Sequence, residues 1–277
     1  MKGLKKLLGL TLAAMMTMSL VGCSSSSDEG EEKVEKLQQI KDAGVLVVGT
    51  SADYAPYEFH KQVDGEDKIV GFDITMAEEI AKDLGVKIEY KDMDFDGLLG
   101  ALDASQVDIV LSGMTPNEER KKSVDFSELF YEDSNVCIVK EGNEDLVKSA
   151  DDLKDLKVGV QSGTTQADYV TGDLGITTAK QLKRVPDLML DLQNGNIDVI
   201  VTGKNVAEIN IEHYDGLALG NTTVGEEVAE STAAAIKKST DKVDNTSLVE
   251  AINNTIKRLK DENKMDGYMQ EALKLAE

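Results

Sequence analysis

The stretch from residue 45 to residue 111 alternates between two hydrophobic patterns, and this alternation restricts the fold more than any other feature of the sequence. Short β-branched or aliphatic runs occur at 45–48, 86–90 and 107–111, and apolar residues at helical spacing occupy 74–84 and 95–104. Runs of the first kind are typical of buried strands, and the second pattern is typical of amphipathic helices. The order strand, helix, strand, helix, strand predicts an α/β fold in which helices cover a mostly parallel sheet.

A helix and strand of this region have a counterpart 90 positions later. Shifted by that offset, apolar helix positions and strand residues coincide together: Leu98 with Leu188, Leu102 with Leu192, Asp108 with Asp198 and Gly113 with Gly203. We infer two α/β lobes of similar topology. The second opens with a strand at 157–161 and contains helices at 165–172, 187–194 and 204–212.

The chain order places the second lobe as an insertion in the first. Residues 37–134 and 222–277 are predicted to form lobe 1, which ends in helices at 247–259 and 264–275, and residues 135–221 are predicted to form lobe 2. Two chain crossings must then join the lobes, and the extended segments 132–140 and 221–236 are the candidates. A double connection leaves a cleft that can close around a ligand by hinge motion.

The amino terminus has the pattern of an export signal. Three lysines, at positions 2, 5 and 6, precede an uncharged stretch from Leu7 to Val21, which is too short to span a membrane. The sequence Leu20-Val21-Gly22-Cys23 resembles the lipobox of bacterial lipoproteins. We therefore expect a signal peptide at 1–22, a lipid anchor on Cys23, a flexible polar tether at 23–36 and an extracytoplasmic protein held at the cell membrane.

Charge and composition exclude several function classes. The formal charge of -22 makes nucleic-acid binding improbable, because the chain would repel phosphate backbones. Two distant histidines, His60 and His213, and two cysteines provide no zinc ligand set, and no glycine spacing fits a phosphate or dinucleotide loop. No metal or cofactor is therefore expected. Cys137 lies in an apolar run and is predicted to be a buried thiol without a disulfide partner.

Thr115-Pro116-Asn117-Glu118 follows the strand at 107–111 and carries a strong helix-start signal. Thr115 is predicted to be the N-cap, with proline in the first turn and glutamate at the third position. Arg120 comes two residues later. The helix origin and this guanidinium would then meet at the carboxyl end of a parallel strand and form a carboxylate site. The alternative is that Arg120 is a solvated charge among neighbouring charged residues.

Two other groups are candidates for contact with a ligand. The segment Gln161-Ser162-Gly163-Thr164-Thr165-Gln166 follows the first strand of lobe 2 and offers hydroxyl and backbone donors. A carboxylate bridged between the two lobes would gain contacts only in the closed state, which favours closure. Tyr54 and Phe95, after two strands of lobe 1, either stack on a ligand or pack in the core.

Several motifs in order are similar to those of the bacterial extracellular solute-binding protein family 3. They are Gly49-Thr50-Ser51-Ala52-Asp53-Tyr54-Ala55-Pro56-Tyr57-Glu58-Phe59, Val70-Gly71-Phe72-Asp73-Ile74, Asp94-Phe95-Asp96-Gly97-Leu98, 107–115, Glu119-Arg120 and Val124-Asp125-Phe126-Ser127. The resemblance implies a hinged, two-lobed type II periplasmic-binding-protein fold. It also implies a monomeric receptor that passes a polar amino acid to an ABC permease and its ATPase.

The resemblance also implies roles for individual residues. Arg120 would pair with the α-carboxylate of the ligand, with help from Thr115 and Thr165. Ser112 and Gly113 would contact the α-amino group, and Tyr54 and Phe95 would flank the side chain. Two further residues, Thr164 and Gln166, would line the cleft from lobe 2.

Two positions depart from the family pattern. The family usually has an acid that contacts the α-ammonium where this chain has Gly203, and often an acid where it has Ser51. A buried ammonium without a carboxylate is costly. Either Glu208 or another acid takes over, or the ligand is not a simple α-amino acid. The ligand-binding set predicted here is therefore Ser51, Tyr54, Phe95, Ser112, Gly113, Thr115, Arg120, Thr164, Thr165, Gln166 and Gly203.

Three function classes are compatible with these motifs. The first is a transport receptor that performs no chemistry, because the predicted cleft has an anion clamp but no activated nucleophile and no nearby histidine. The second is an enzyme on the same scaffold, of the dehydratase or lytic type. The third is a ligand-sensing lipoprotein that docks to a signalling partner when closed.

Overall fold

The computed structural model describes residues 33–225 and 230–277. The predicted signal peptide and Cys23 lie outside these residues. Residues 33–36 of the predicted tether are described: Val34 and Glu35 pair in parallel with Val243 and Asp244, and a helix begins at Lys36. In the described part of the chain, no helix has the length and apolar character that a membrane crossing needs.

The strands are numbered in chain order. They are β1 Val34–Glu35, β2 Val45–Thr50, β3 Asp53–Tyr54, β4 Glu58–Val63, β5 Glu66–Val70, β6 Lys87–Asp92, β7 Ile109–Val110, β8 Val124–Phe126, β9 Tyr131–Asp133, β10 Asn135–Lys140, β11 Val158–Gln161, β12 Lys180–Leu182, β13 Val199–Gly203, β14 Leu217–Thr223, β15 Glu230–Thr232, β16 Ala235–Lys237 and β17 Val243–Asp244.

The α-helices are numbered in the same way. They are α1 Lys36–Ala43, α2 Phe72–Leu84, α3 Leu98–Asp103, α4 Arg120–Ser123, α5 Thr165–Asp168, α6 Val185–Asn194, α7 Lys204–His213, α8 Thr246–Asp261 and α9 Met265–Ala276. A 3₁₀ turn at Phe95–Gly97 precedes α3, a second covers Ala150–Asp155, and a π-helical turn at Tyr169–Asp173 continues α5.

Each of the two lobes is built on a five-stranded sheet. The strand order is β6-β2-β7-β16-β8 in lobe 1 and β12-β11-β13-β10-β14 in lobe 2. Both sheets are mixed, with parallel pairing in the strand-helix-strand part and antiparallel pairing where a strand next to a crossing joins the sheet. The sequence pattern predicted the parallel part because helices separate those strands. The antiparallel partners come from distant segments that show no such periodicity.

The 90-residue repeat corresponds to the same backbone arrangement in each lobe. In lobe 1 the Asp108 carboxylate accepts from Val47 N at 2.8 Å, and in lobe 2 the Asp198 carboxylate accepts from Lys157 N at 2.9 Å. The backbone N–H of each aspartate donates at 2.8 Å to the carbonyl of the same partner residue. Each aspartate thus ties the amino ends of two neighbouring parallel strands together.

The core of lobe 1 lies between its sheet and three long helices. Helix α2 buries Met76 and Ile80, and α8 packs beside it with Ile252 and Ile256 fully buried. Apolar residues three to four positions apart form one face of each helix; that face of α2 packs on the sheet, and that of α8 packs on α1 and α2. This rigid layer holds the carboxyl ends of β2 and β7, where the polar residues described below are found.

Candidate ligand site between the lobes

The two lobes enclose a polar cavity at the carboxyl ends of the parallel strands. Ten of the eleven predicted ligand residues line it. The full set of lining residues is Ser51, Tyr54, Glu58, Phe95, Ser112, Gly113, Thr115, Arg120, Gln161, Thr164, Thr165 and Gln166.

Arg120 is the positive charge of the cavity and is 8% exposed. Its guanidinium donates to the carbonyl of Thr115 in lobe 1 at 2.5 Å and to the carbonyl of Gly163 in lobe 2 at 2.8 Å. It also lies 5.5 Å from the centre of the Phe95 ring. Burial lowers the pKa of Arg120 to about 10, although the negative charge of Asp168 opposes this effect. Among the described residues, no carboxylate comes within ion-pair distance of this guanidinium.

The local reason for the position of Arg120 differs from the sequence prediction. The prediction that Thr115 begins a helix was wrong, because residues 114–117 are irregular and α4 begins only at Arg120 and has four residues. Asn117 stabilises this start, since its side-chain oxygen accepts from Arg120 N at 2.7 Å. Thr115 Oγ1 instead accepts from Ser231 N at 3.2 Å. The lobe 1 wall of the cavity therefore presents the Arg120 guanidinium without a helix origin at Thr115.

The loop between β11 and α5 lines the cavity from lobe 2. Thr164 is the N-cap of α5, and its hydroxyl oxygen accepts from Ala167 N at 3.1 Å. Thr165 and Gln166 are buried beside it, and Gln166 donates to the side-chain oxygen of Asn135 at 2.8 Å. The loop thus presents its hydroxyl and amide groups to the cavity from a fixed backbone.

Tyr54 and Phe95 lie at the cavity wall, and both are less than a tenth exposed. The Tyr54 ring stacks on that of Tyr57 with a centroid distance of 5.7 Å, and the Tyr54 hydroxyl is 3.4 Å from the Thr202 hydroxyl of lobe 2. The two alternatives from the sequence are therefore compatible, since each ring packs on protein on one side and lines the cavity with the other. Tyr57 and Phe72 are fully buried.

Glu58 is the acid that sequence reasoning did not place. It is fully buried, it lines the cavity, and its Oε1 accepts from the Ser112 hydroxyl at 2.8 Å. Ser112 Oγ in turn accepts from Ser51 N at 3.0 Å. The available signal was a charged residue between the aromatic residues Tyr57 and Phe59, where a buried strand is expected to be apolar.

The amino end of α2 fixes the backbone that carries Glu58. Phe72 N donates to the carbonyl of Pro56 at 3.0 Å, and Asp73 N donates to the carbonyl of Tyr57 at 2.9 Å. This close approach requires Gly71, which has φ 135°, because a Cβ there would come within 2.2 Å of the Tyr57 carbonyl oxygen. The Gly71-Phe72-Asp73 motif therefore positions an acid more than ten residues earlier in the chain.

Asp73 holds the backbone of the Ser112-Gly113 segment in place through a hydrogen bond. Its Oδ2 accepts from Gly113 N at 2.8 Å, and the residue is fully buried. Burial raises the pKa of Asp73 to about 7, while the hydrogen bond from Gly113 opposes the shift. The Gly113 N–H is thus engaged by Asp73.

Gly203 is not among the cavity residues. It ends β13, pairs with Asn135 and is the N-cap of α7. Glu208, the suggested replacement acid, forms an ion pair with Lys204 on the same helix and does not line the cavity either. The carboxyl group of Glu208 therefore lies outside the cavity, whereas that of Glu58 lines it.

The cysteine and histidine side chains of the described residues, which could support catalysis, do not line the cavity. Cys137 is buried in the sheet of lobe 2, and burial raises the pKa of its thiol to about 12. His60 contacts Asp67 and Asp92 at the surface, and His213 contacts the carbonyl of Ala276. Among residues 33–225 and 230–277, no group of three His, Cys, Asp or Glu side chains is placed to hold a metal ion.

The cleft is closed in this structure, as contacts across its mouth show. Lys183 of lobe 2 contacts Asp94 of lobe 1 at 2.6 Å, and Arg184 contacts the same carboxylate at 3.5 Å. Ser162 Oγ donates to Asp96 at 3.3 Å. Together with the Arg120 bridge to Gly163, these contacts hold the two walls of the cavity together.

Comparison with known proteins links this geometry to one family. The family model described as "Bacterial extracellular solute-binding proteins, family 3" matches residues 46–273. The chain is 34% identical over 266 residues to the arginine-binding extracellular protein ArtP of Bacillus subtilis, covering 95% of this chain and 96% of ArtP. It is 31% identical over 261 residues to the L-cystine-binding protein TcyJ of Escherichia coli, covering 94% of this chain and 91% of TcyJ.

A solved structure has the same architecture. The amino acid ABC transporter substrate-binding protein AbpA of Streptococcus pneumoniae, bound to L-arginine, superposes with a TM-score of 0.79 and 34% identity. The match covers 86% of this chain and 98% of that protein. The similarity therefore extends over both lobes.

Proposed function

The chain belongs to the bacterial extracellular solute-binding proteins of family 3, and from this premise we propose that it captures an amino acid, or a closely related carboxylate, in the closed cleft and delivers it to an ABC permease. The relatives named above are described as arginine-binding, cystine-binding and arginine-bound proteins. Their chemistry fits a cavity with one buried cation and one buried anion.

The observation that carries the proposal is the environment of Arg120. The guanidinium is buried, contacts one carbonyl from each lobe, and has no carboxylate partner among the described residues. Keeping a charge in such a site is costly unless an anion neutralises it. A ligand carboxylate would supply that anion, and it would reach donors of both lobes only when the cleft is closed.

Glu58 extends the proposal to the other end of the ligand. Its carboxylate, with Ser112 beside it, is placed to accept hydrogen bonds from a cationic group of the ligand. The rings of Tyr54 and Phe95 add apolar and cation-π contacts. L-Arginine is the first ligand to test, because it combines a carboxylate with cationic groups and because the relatives are described with it.

We infer a receptor and not an enzyme. The cavity residues of the described chain include hydroxyls and amides, but none of the hydroxyls lies beside a histidine or lysine that could activate it. The delivery partners would be a membrane permease and its ATPase. We further propose that the protein acts as a monomer, exported by its first 22 residues and anchored through a lipid on Cys23.

Isothermal titration calorimetry with a panel of amino acids tests the proposal. We expect equimolar binding of at least one amino acid without turnover. We expect Arg120→Ala to weaken that binding by about 10- to 150-fold or more, because a hydrogen bond to a charged group contributes about 1.5–3 kcal/mol. Failure of the unmodified protein to bind any amino acid would refute the function.

Arg258→Ala is the matched control. Arg258 belongs to the same lobe, but its guanidinium pairs with Glu79 and Asp83 on the outer helices. Its loss is expected to lower stability slightly and to leave ligand affinity unchanged. Equal losses of affinity in both variants would show that Arg120 does not act through the cavity.

A further inference from the structure

Asp53 belongs to lobe 1, but two of the three hydrogen bonds that its side chain accepts come from lobe 2. It lies in β3, directly before Tyr54. Its Oδ2 accepts from Val185 N at 2.9 Å and from Gln161 Nε2 at 3.4 Å, both in lobe 2. Its Oδ1 accepts from the Ser51 hydroxyl at 2.9 Å in its own lobe. Opening the cleft separates the first two contacts and leaves the third.

The contact with Val185 completes the start of a helix. Helix α6 begins at Val185, and its N-cap residue, Arg184, forms no capping hydrogen bond with its own side chain. The first N–H groups of a helix have no partner within the helix, and an acidic side chain is the preferred acceptor there. Asp53 therefore provides from the opposite lobe the cap that the local sequence of α6 lacks.

We propose that Asp53 is a positioning residue for cleft closure, which caps α6 only in the closed form and thereby raises ligand affinity without contacting the ligand. The inference rests on the proposed function, because closure is the step that traps the ligand. It adds to that function a residue whose contribution is the same for every ligand.

A short series of hydrogen bonds connects this cap to the cavity. The Ser51 hydroxyl donates to Asp53, the Ser51 N–H donates to Ser112 Oγ, and Ser112 donates to Glu58. Gln161, which donates to Asp53, also lines the cavity. A ligand that orders Ser112 and Glu58 therefore orders the residue that holds Asp53 toward lobe 2.

The charge balance around Asp53 agrees with a closure contact. Burial in the closed cleft raises the pKa of Asp53, while Val185 N, the Ser51 hydroxyl and the positive charge of Arg184 oppose the shift. The negative charge of the neighbouring Asp92 also raises the pKa of Asp53. The carboxylate thus loses water on closure and receives donors from lobe 2 in exchange.

The test compares Asp53→Ala and Asp53→Asn with the unmodified protein, using L-arginine and L-glutamine as probes in calorimetry. Loss of a cap of this kind corresponds to a change of about 2- to 30-fold in the closing equilibrium. We expect Asp53→Ala to weaken the binding of each probe by the same factor within this range. Asp53→Asn keeps a capping oxygen and is expected to restore most of the affinity.

Asp198→Ala is the matched control, because Asp198 accepts a backbone N–H at the same distance but within lobe 2. It is expected to lower the stability of the ligand-free protein in urea and to leave affinity unchanged. Asp53→Ala is expected to weaken ligand binding and to leave the stability of the ligand-free protein in urea unchanged.

The outcomes distinguish failure of the proposed function from failure of the inference about Asp53. If the unmodified protein binds no amino acid, the proposed function fails and this inference fails with it. If the unmodified protein binds but Asp53→Ala binds equally well, only the inference is overturned. A larger loss of ligand-free stability in Asp53→Ala than in Asp198→Ala, or an affinity loss limited to one probe, would also overturn it.

Discussion

At the scale of single residues, the candidate site contains two buried ionisable side chains, Arg120 and Glu58. The carbonyls of Thr115 and Gly163 accept from the Arg120 guanidinium, and the Ser112 hydroxyl donates to the Glu58 carboxyl group. Under the proposed function, Arg120 pairs with the carboxylate of a zwitterion and Glu58 with its cationic group. The sequence pointed to Arg120 through its motif, but Glu58 became a site residue only when β4 was placed beside Ser112.

Replacement of Glu58 with glutamine tests the anionic end. Glutamine keeps the shape and can still accept from Ser112, but it has no charge for a ligand cation. We expect Glu58→Gln to weaken L-arginine binding by about 10- to 150-fold, the range for loss of a charged hydrogen bond. Calorimetry measures this, and Glu78→Gln on the exposed face of α2 is the control. Equal affinity in Glu58→Gln and the unmodified protein would contradict the assignment.

Asp73 makes stability depend on pH. Burial raises its folded-state pKa from 3.8 to about 7. Between these values the folded protein holds a proton that the unfolded chain has released, so this contribution to stability is present at low pH and is lost as pH rises through 7. The slope is at most about 1.4 kcal/mol per pH unit. The side chain introduced by Asp73→Asn is neutral at every pH. The free energy of unfolding of this variant, relative to that of the unmodified protein, should therefore rise between pH 5 and pH 8.

Urea unfolding at pH 5, 6, 7 and 8 measures that difference. Asp151→Asn, at an exposed position in lobe 2, is the control and should follow the unmodified protein at every pH. Parallel curves for Asp73→Asn and the unmodified protein would show that Asp73 does not titrate in this range.

At the scale of elements, loops decide the site more than helices or strands do. The helices at 185–194 and 204–213 match the predicted ones within two residues, because apolar spacing is a local property. The Thr115-Pro116 segment was predicted to start a helix, and it does not. Its Thr115 hydroxyl and carbonyl are instead engaged by Ser231 and Arg120, and these tertiary contacts outweigh the local preference for a helix.

The loop at Gly163 offers a test of closure at this scale. Gly163 has φ 77°, and a Cβ there would come within 2.9 Å of the Asp96 Cβ in the opposite lobe. Gly163→Ala should therefore keep the lobes apart and weaken ligand binding by about 10-fold or more, beyond the backbone strain that any side chain at this φ causes. Titration calorimetry with the best ligand of the panel measures the loss.

Gly175→Ala separates strain from closure. Gly175 lies in the same lobe with φ 71°, and a Cβ there would meet no atom within 4 Å. The variant should lose a similar amount of stability, about 1 kcal/mol, and keep its affinity. If both alanine variants lose affinity equally, contact between Gly163 and Asp96 does not limit closure.

At the scale of the whole molecule, charges of opposite sign face each other across the mouth of the cleft. Lobe 1 contributes Asp92, Asp94 and Asp96, and lobe 2 contributes Lys183 and Arg184, with N–O distances of 2.6–3.9 Å. These ion pairs are partly exposed, so each contributes little to the free energy of cleft closure, and dissolved salt screens the attraction between the charges. In a strongly acidic protein they still offset the repulsion between the two lobes.

We expect closure, and therefore ligand affinity, to depend on ionic strength. Raising NaCl from 50 to 500 mM should weaken binding by about 3-fold through screening of these pairs. The double variant Lys183→Ala/Arg184→Ala should bind more weakly at low salt and show a smaller salt dependence. Lys154→Ala/Lys257→Ala removes two pairs that each lie within one lobe and is the control. An unchanged salt dependence in the first double variant would contradict this role.

The sequence by itself determined the parts of this protein that depend on neighbouring residues. Strand and helix periodicity and the repeat that relates Asp108 to Asp198 were enough to predict two α/β lobes, and the motif around Arg120 pointed to a residue that lines the cavity between them. Only the tertiary structure decided that Glu58 enters the cavity, that Gly203 stays outside it and that Asp53 caps α6. Each of these depends on how segments distant in sequence approach one another when the cleft closes, and no local pattern encodes that approach.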